Sequence, residues 1–502
     1  MISKFKNLIP ILGINFKLSL MMIVIGAFLS ACYPSQPENL AGTEVVLGPV
    51  SEPTENVAGT AMVEDSVSIP PRIVFWSLEI QQDRVEITNQ IIQRFTEKTG
   101  IEVDLVLLEE NAIDSLMRAS YEKRYLPDVV YLPLEFVNSW EEHGILDADA
   151  AASIINNLDA STFAPGSLAM VGVKGDQFNS VPSDGWGQLL IYRADIFESL
   201  GLEKPDDLNR IRAAAQVLTD AGYIGLIAGT NPNEVYTQQT FEHFALAHGV
   251  QIICDNGEIF LNTPEMIAAL DYYTELMRDF GPGDSPAAWF EAREQYFAGH
   301  AGMIIWSPFI LDEMAGLRDD FMPDCLECET DPGYLAEISG IVPAFVAVDG
   351  TATQWGAVNY FGITTRAKTD PAVEFVEFMM SEGYLDWLSM APEGKMPMRY
   401  GTSQNPSFFL DQWRKLPIGV DRKLPISEIY NQEILETLVA GSQDFQRWGF
   451  IPNSKHRELV GILYSELIIP GLIADIIDGK ITPQAAAKNL ETQVKQLLLL
   501  RE

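Results

Sequence analysis

The chain has 502 residues, too many for one compact core, so two or more lobes are expected. Acidic residues outnumber basic ones by 70 to 33, a formal charge of −37, which argues against nucleic acid or an anionic membrane surface as the main partner. Hydrophobic residues make up 47% of the sequence, ample for burial in each lobe.

Lys4, Lys6 and Lys17 are the only charges before an apolar run at 18–29 that is too short to span a membrane comfortably. Residues 1–31 therefore read as an export signal. Its end, Leu29-Ser30-Ala31-Cys32, resembles the bacterial lipobox, after which Cys32 would be lipidated and become the mature N-terminus. An ordinary secretory signal with a chance cysteine and an uncleaved anchor are the alternatives, and each of the three puts the body outside the cytoplasm. Removing the signal leaves 30 basic against 70 acidic residues, a formal charge of −40. Residues 32–71 are rich in Pro, Gly, Ser, Thr and Glu without an apolar period, the composition of a flexible tether.

Order begins at Arg72. Ile73-Val74-Phe75-Trp76 is a strand-like run, and Ile87, Ile91 and Phe95 fall at helical spacing before Gly100. A second strand is expected over 101–108, a helix over 112–121, and a third strand at Pro127-Asp128-Val129-Val130-Tyr131-Leu132. This β-α-β-α-β succession predicts a parallel sheet with helices on its faces, and ligands in such sheets bind beyond the carboxyl ends of strands. Trp76, Glu109 and Tyr131 stand at those ends. A helix over 136–143 follows. In 181–197, Pro182, Gly185 and Gly187 suit a bend around Trp186, and Leu189-Leu190-Ile191-Tyr192 is a short buried strand. Helical patterns follow at 210–220, 264–280 and 290–299, the last running into the apolar strand 302–306, which ends at Trp306. Strand-rich segments at 340–348 and 354–365, a helix at 371–380, a loop at 392–399 and further helices complete the chain.

The order of these pieces is similar to that of the extracellular solute-binding proteins of ABC importers, in the group with maltose- and oligosaccharide-binding lipoproteins. The resemblance runs over residues 72–400 and rests on Phe75-Trp76, Pro127-Asp128-Val129-Val130, Ile191-Tyr192-Arg193-Ala194-Asp195-Ile196-Phe197 with Gly201-Leu202, Phe297-Ala298-Gly299-His300-Ala301-Gly302-Met303 before Trp306, Gly362-Ile363-Thr364, and Ala391-Pro392-Glu393-Gly394-Lys395-Met396-Pro397-Met398-Arg399. It implies an α/β, two-lobed periplasmic-binding-protein-like fold of type II, each lobe a mainly parallel sheet flanked by helices, with several crossings between lobes. The expected division is 72–184 and 356–400 in one lobe, 185–355 and the helical 401–502 in the other. The resemblance also implies a monomer that closes on a solute and hands it to a separate permease, and it implies no cofactor.

Trp76, Tyr131, Trp186, Trp306 and Tyr360 are the aromatics expected around the cleft, because sugars need flat rings for their CH-rich faces. Each could equally be a core residue. Asp184, Glu109, Asn359 and Arg399 are candidate partners for hydroxyls, with a solvated surface position as the alternative. A carbohydrate is the favoured solute, and a polyol, glycerol phosphate or small peptide the alternative. Cys325 and Cys328 are expected to form a small disulfide; half of a zinc site is the other use of that spacing, but no second ligand pair accompanies it. The sequence carries no GxSxG elbow, HExxH helix or Gly-rich phosphate loop. A secreted carbohydrate-active hydrolase using paired carboxylates is the enzymatic alternative.

Overall fold

Strand β1 (Arg72–Ser77) sends Ile73 and Phe75 into one apolar layer and Trp76 into another, the alternation that a pleated strand imposes. It pairs in parallel with β2 (Glu102–Leu107) and β3 (Val129–Pro133), through helices Gln82–Thr99 and Ile113–Glu122. The first helix stops at Gly100, whose φ of 74° makes a left-handed C-cap. The computed structural model describes residues 70–501 apart from 174–176, 255–256, 284–285, 443–444 and 451–455. The export signal, Cys32 and the tether up to residue 69 lie outside the described residues.

Two more strands, β4 (Val181–Gly187) and β5 (Leu189–Arg193), are separated only by Gln188 and belong to different sheets. β5 is the centre of a three-stranded sheet between β6 (Met303–Trp306) and β7 (Ser339–Val342). The chain returns through β8 (Phe345–Val346) and the long β9 (Ala352–Ile363), and closes the larger sheet with β10 (Met396–Pro397), in the order β10-β4-β9-β3-β1-β2. The fold is thus α/β and two-lobed, built on these two sheets.

Strand direction differs from the mainly parallel expectation. Among the described strands, β2-β1-β3 and the pairing of Phe445–Gln446 with β9 are parallel; β9 runs antiparallel to both β3 and β4, and β5 runs antiparallel to both β6 and β7, with an isolated parallel bridge from Ile227 to Ile304 beside them. The reason is topological. A βαβ crossover enforces parallel pairing, whereas a strand that arrives from another sheet carries no such constraint. The bend expected at Pro182, Gly185 and Gly187 is also absent: these residues form β4, with a bulge between Pro182 and Asp184 that accommodates the proline. Gly185 serves close approach, since a Cβ there would lie 2.6 Å from the Ala357 carbonyl oxygen.

Three apolar layers result. Ile73, Phe75, Val129, Tyr131 and Phe361 pack under helices such as Thr369–Met379 on the outer face of the larger sheet. Leu190, Met303 and Ile305 face helices Leu208–Asp220, Val235–Ala247 and Pro264–Phe280. The opposite faces of both sheets, carrying Trp76, Val130 and Leu132 from one and Leu189, Ile191, Ile304 and Trp306 from the other, share the third layer. Helices Leu459–Glu466 and Ile468–Ile477 are apolar because they are buried in the second layer, and among the described residues no single helix is long and apolar enough to cross a membrane. Cys325 and Cys328 are joined in a disulfide, and Cys254 is half-buried.

Candidate functional site

A cavity of about 520 Å³ opens where β4 hands over to β5 and beyond the carboxyl end of β6. A larger hollow of about 810 Å³ lies among Met277, Pro282, Leu467 and Leu472, away from any strand end; the first has the position where α/β sheets bind ligands. Trp186 and Gln188 form its wall at the crossing, Trp306, Ser307 and Phe309 continue from β6, and Tyr236 and Trp289 enter from helices Val235–Ala247 and Trp289–Phe297. Tyr236 donates its hydroxyl to the Ile305 carbonyl at 2.7 Å and stands edge-on to Trp306 at 5.2 Å. Trp186 leans on the buried Trp355 at 5.2 Å. Deeper in the wall, Arg293 donates to Glu313 at 2.8 Å, and the Phe321 ring covers the guanidinium at 3.8 Å. Aromatic faces beside a few fixed polar groups suit a ligand with both CH surfaces and hydroxyls.

Of the residues singled out from sequence, Trp186 and Trp306 are brought together in this cavity. Tyr131, Asp184 and Asn359 meet elsewhere, inside the larger sheet. The Tyr131 hydroxyl donates to Asp184 at 2.6 Å and bonds the Asn359 side chain, while Ser183 and Trp387 donate to the same carboxylate at 3.0 and 2.8 Å. Lys395, buried among them, lies 2.5 Å from Glu79 and 3.3 Å from Asp184. Burial would raise the Glu79 carboxyl, but Lys395 and Arg84 outweigh it and hold the group below its usual range. Trp76 is buried in the layer that also holds Trp306, and Glu109 is exposed at the start of a short 3-10 turn. Tyr360 is buried with its hydroxyl on the Ser167 carbonyl at 3.1 Å, and Arg399 is buried with its guanidinium on the carbonyls of Met380 and Leu158 at 2.6 and 3.1 Å.

Beside the crossing, Arg447 is fully buried and donates to Glu242 at 2.9 Å, to Glu135 at 3.0 Å and to the Tyr464 hydroxyl at 2.7 Å. Its guanidinium lies over Trp355, the ring that backs Trp186. Sequence reading singled out neither Arg447 nor Gln188, Glu313, Arg293, Glu79 and Lys395. A lone buried charge far in sequence from its partner leaves no periodic trace.

Three buried carboxyls near the cleft are pushed up by burial: Glu393 to about 8, Glu313 to about 7 and Asp312 to about 6. The folded protein keeps these protons where the unfolded chain has already lost them, so stability falls as pH rises through those values. His243, buried and pushed down to about 3, acts oppositely, but only below its usual 6.5, where the unfolded chain gains a proton that the folded one refuses. The melting temperature is therefore expected to rise when pH is lowered from 8 to 6, as calorimetry at both values would show. A fall over that interval contradicts the assignment.

A sequence model for the family described as bacterial extracellular solute-binding protein matches residues 81–385. The putative ABC transporter periplasmic-binding protein YcjN of Escherichia coli strain K12 is 26% identical over 435 residues, covering 84% of this chain and 93% of its own length. Among solved structures, a cyclic α-maltosyl-1,6-maltose binding protein from Arthrobacter globiformis superposes with a TM-score of 0.63 at 16% identity, over 86% of this chain and 99% of that one. A solute-binding protein of an ABC transporter from Agrobacterium radiobacter K84, in complex with ribitol, gives a TM-score of 0.59 at 15% identity, over 85% and 98% of the two chains. At these identities the structural likeness is one of fold.

Proposed function

This chain belongs to the bacterial extracellular solute-binding proteins, and from that premise we propose that it captures a carbohydrate, a sugar or oligosaccharide, by closure of its two lobes and delivers it to the permease of an ABC importer. The family is one of exported transport proteins rather than enzymes. The observation that carries the carbohydrate reading is the cavity wall, in which Trp186, Tyr236, Trp289 and Trp306 surround a volume of about 520 Å³ at the crossing between the sheets. Contacts from both lobes make the closed state dependent on the ligand, so that occupancy becomes a shape a permease can read. The reading takes 72–184 with 356–400 as one lobe and 185–355 with 401–502 as the other, and it places the body on the outer face of the membrane, a monomer held by lipidated Cys32. A polyol is the second reading, favoured by the ribitol-bound neighbour.

Thermal melting of the purified protein against maltose, maltotetraose, tagatose, mannitol and ribitol tests this. A ligand at 100 times its Kd stabilises the folded state by about 2.7 kcal/mol. No shift with any of them, together with release of reducing sugar from an oligosaccharide, would favour a hydrolase. In the same assay Trp186→Ala is expected to weaken binding about tenfold or more, equivalent to about 1.4 kcal/mol, with cooperative unfolding retained. Unchanged affinity would reduce Trp186 to packing against Trp355.

A further inference from the structure

Two residues of the cavity wall carry an acceptor atom with no hydrogen-bond partner among the described residues, Glu313 Oε2 and Gln188 Oε1, both on buried side chains. Glu313 is held in place from behind. Its Oε1 takes the Arg293 Nη1 hydrogen at 2.8 Å, which leaves Oε2 of this cavity-lining residue without a hydrogen bond. Gln188 is fixed through its backbone, whose N–H donates to the Trp355 carbonyl at 3.0 Å and whose carbonyl accepts from Gln354 at 3.2 Å. Acceptors left dry in a closing cavity are unfavourable, and a ligand that brings O–H groups satisfies them.

Charge narrows the ligand further. Among the described residues that line the cavity, Arg293 is the one cation, against the carboxylates of Glu234 and Glu313. Arg293 is already engaged, by Glu313 and by the ring of Phe321 at 3.8 Å, with Trp289 and Phe290 at 5.3 Å on its flanks. No uncommitted positive charge lines this wall to receive an acidic ligand, and a ligand carboxylate near Glu313 would meet like charge in a low-dielectric site.

We infer that Glu313 makes this cavity selective for a neutral, hydroxyl-rich solute over the same solute carrying a carboxylate, an inference that rests on the solute-capture reading above. Glu313 accepts a hydroxyl hydrogen through Oε2, and Arg293 is the positioning residue behind it. Burial raises the Glu313 carboxyl to about 7, with Asp312 adding to the rise and Arg293 and Arg318 opposing it, so at pH 8 the group is mostly ionised.

The test is calorimetric titration of the whole protein at pH 8 with matched pairs: glucose and glucuronate, maltose and maltobionate, mannitol and mannonate, ribitol and ribonate. In each pair that binds, the neutral member is expected to be at least about tenfold tighter. Glu313→Gln keeps the oxygen that Arg293 uses but removes the charge; it is expected to weaken the neutral member about tenfold and to shrink the gap to the acid. Equal or tighter binding of the acidic member overturns the inference and leaves solute capture standing. So does a folded Glu313→Gln protein with both affinities unchanged. If that variant fails to fold, the matched pairs on the unaltered protein still decide. Binding of no pair at all counts against both this inference and the carbohydrate reading.

Discussion

Replacing Arg447 by Met is expected to destabilise the folded protein by about 3–5 kcal/mol, read as a lower midpoint in chemical denaturation. The guanidinium is buried between Glu135, on helix Leu134–Glu142 after β3, and Glu242, on helix Val235–Ala247 of the second apolar layer. Removing it leaves two buried carboxylates facing each other without their cation. That loss, rather than the net worth of the triad, sets the size of the effect, because a buried ion pair offset against its own desolvation adds little. The triple variant Arg447→Met, Glu135→Gln, Glu242→Gln should therefore recover much of the stability that the single variant loses. A single variant within about 0.5 kcal/mol of the parent, the range of ordinary surface changes, would mean that water reaches the carboxylates. The same variant bears on the site, since Arg447 covers Trp355 and Trp355 backs Trp186.

What could be seen in advance was what is local. The runs Ile73-Val74-Phe75-Trp76 and Met303-Ile304-Ile305-Trp306 announce strands because one short apolar stretch feeds two layers, and helix Pro264–Phe280 announces itself by its spacing and its leading proline. Trp186 and Trp306 could be marked because a crossing and a strand end are visible in the order of elements. Strand direction could not: the antiparallel run of β9 is decided by where the chain comes from, out of β7 in the other sheet, and no local preference records it. Nor could the polar half of the cavity. Arg293 and Glu313 are two charges among many until tertiary packing buries both, and Tyr131 and Asp184 read equally well as cleft residues until Lys395 and Trp387 are found against them. Polar residues become distinctive by burial and pairing, which are properties of the fold.

Lys395→Met is expected to cost about 3 kcal/mol, near the lower end for breaking a buried pair. The lysine is the cation shared by Glu79, which follows β1, and Asp184 in β4, and it lies over the rings of Tyr131 and Trp387 at 4.8 and 4.7 Å. The two carboxylates do not lose equally. Glu79 keeps Arg84 at 2.8 Å, whereas among the described residues Asp184 keeps only neutral donors, from Tyr131, Ser183 and Trp387. The Tyr131 hydroxyl, pushed well up by burial and by Asp184, is protonated at neutral pH and remains a donor. Asp184 should then carry most of the penalty, so Asp184→Asn introduced beside Lys395→Met should restore part of the stability, while Asp184→Asn alone should destabilise. A double-mutant cycle measures the coupling, expected between about 0.5 and 3 kcal/mol, with the exposed Lys415→Met as the control for loss of a lysine as such. Additive single effects would show that Lys395 and Asp184 act independently, and that the larger sheet is held by its apolar layers without the charge between them.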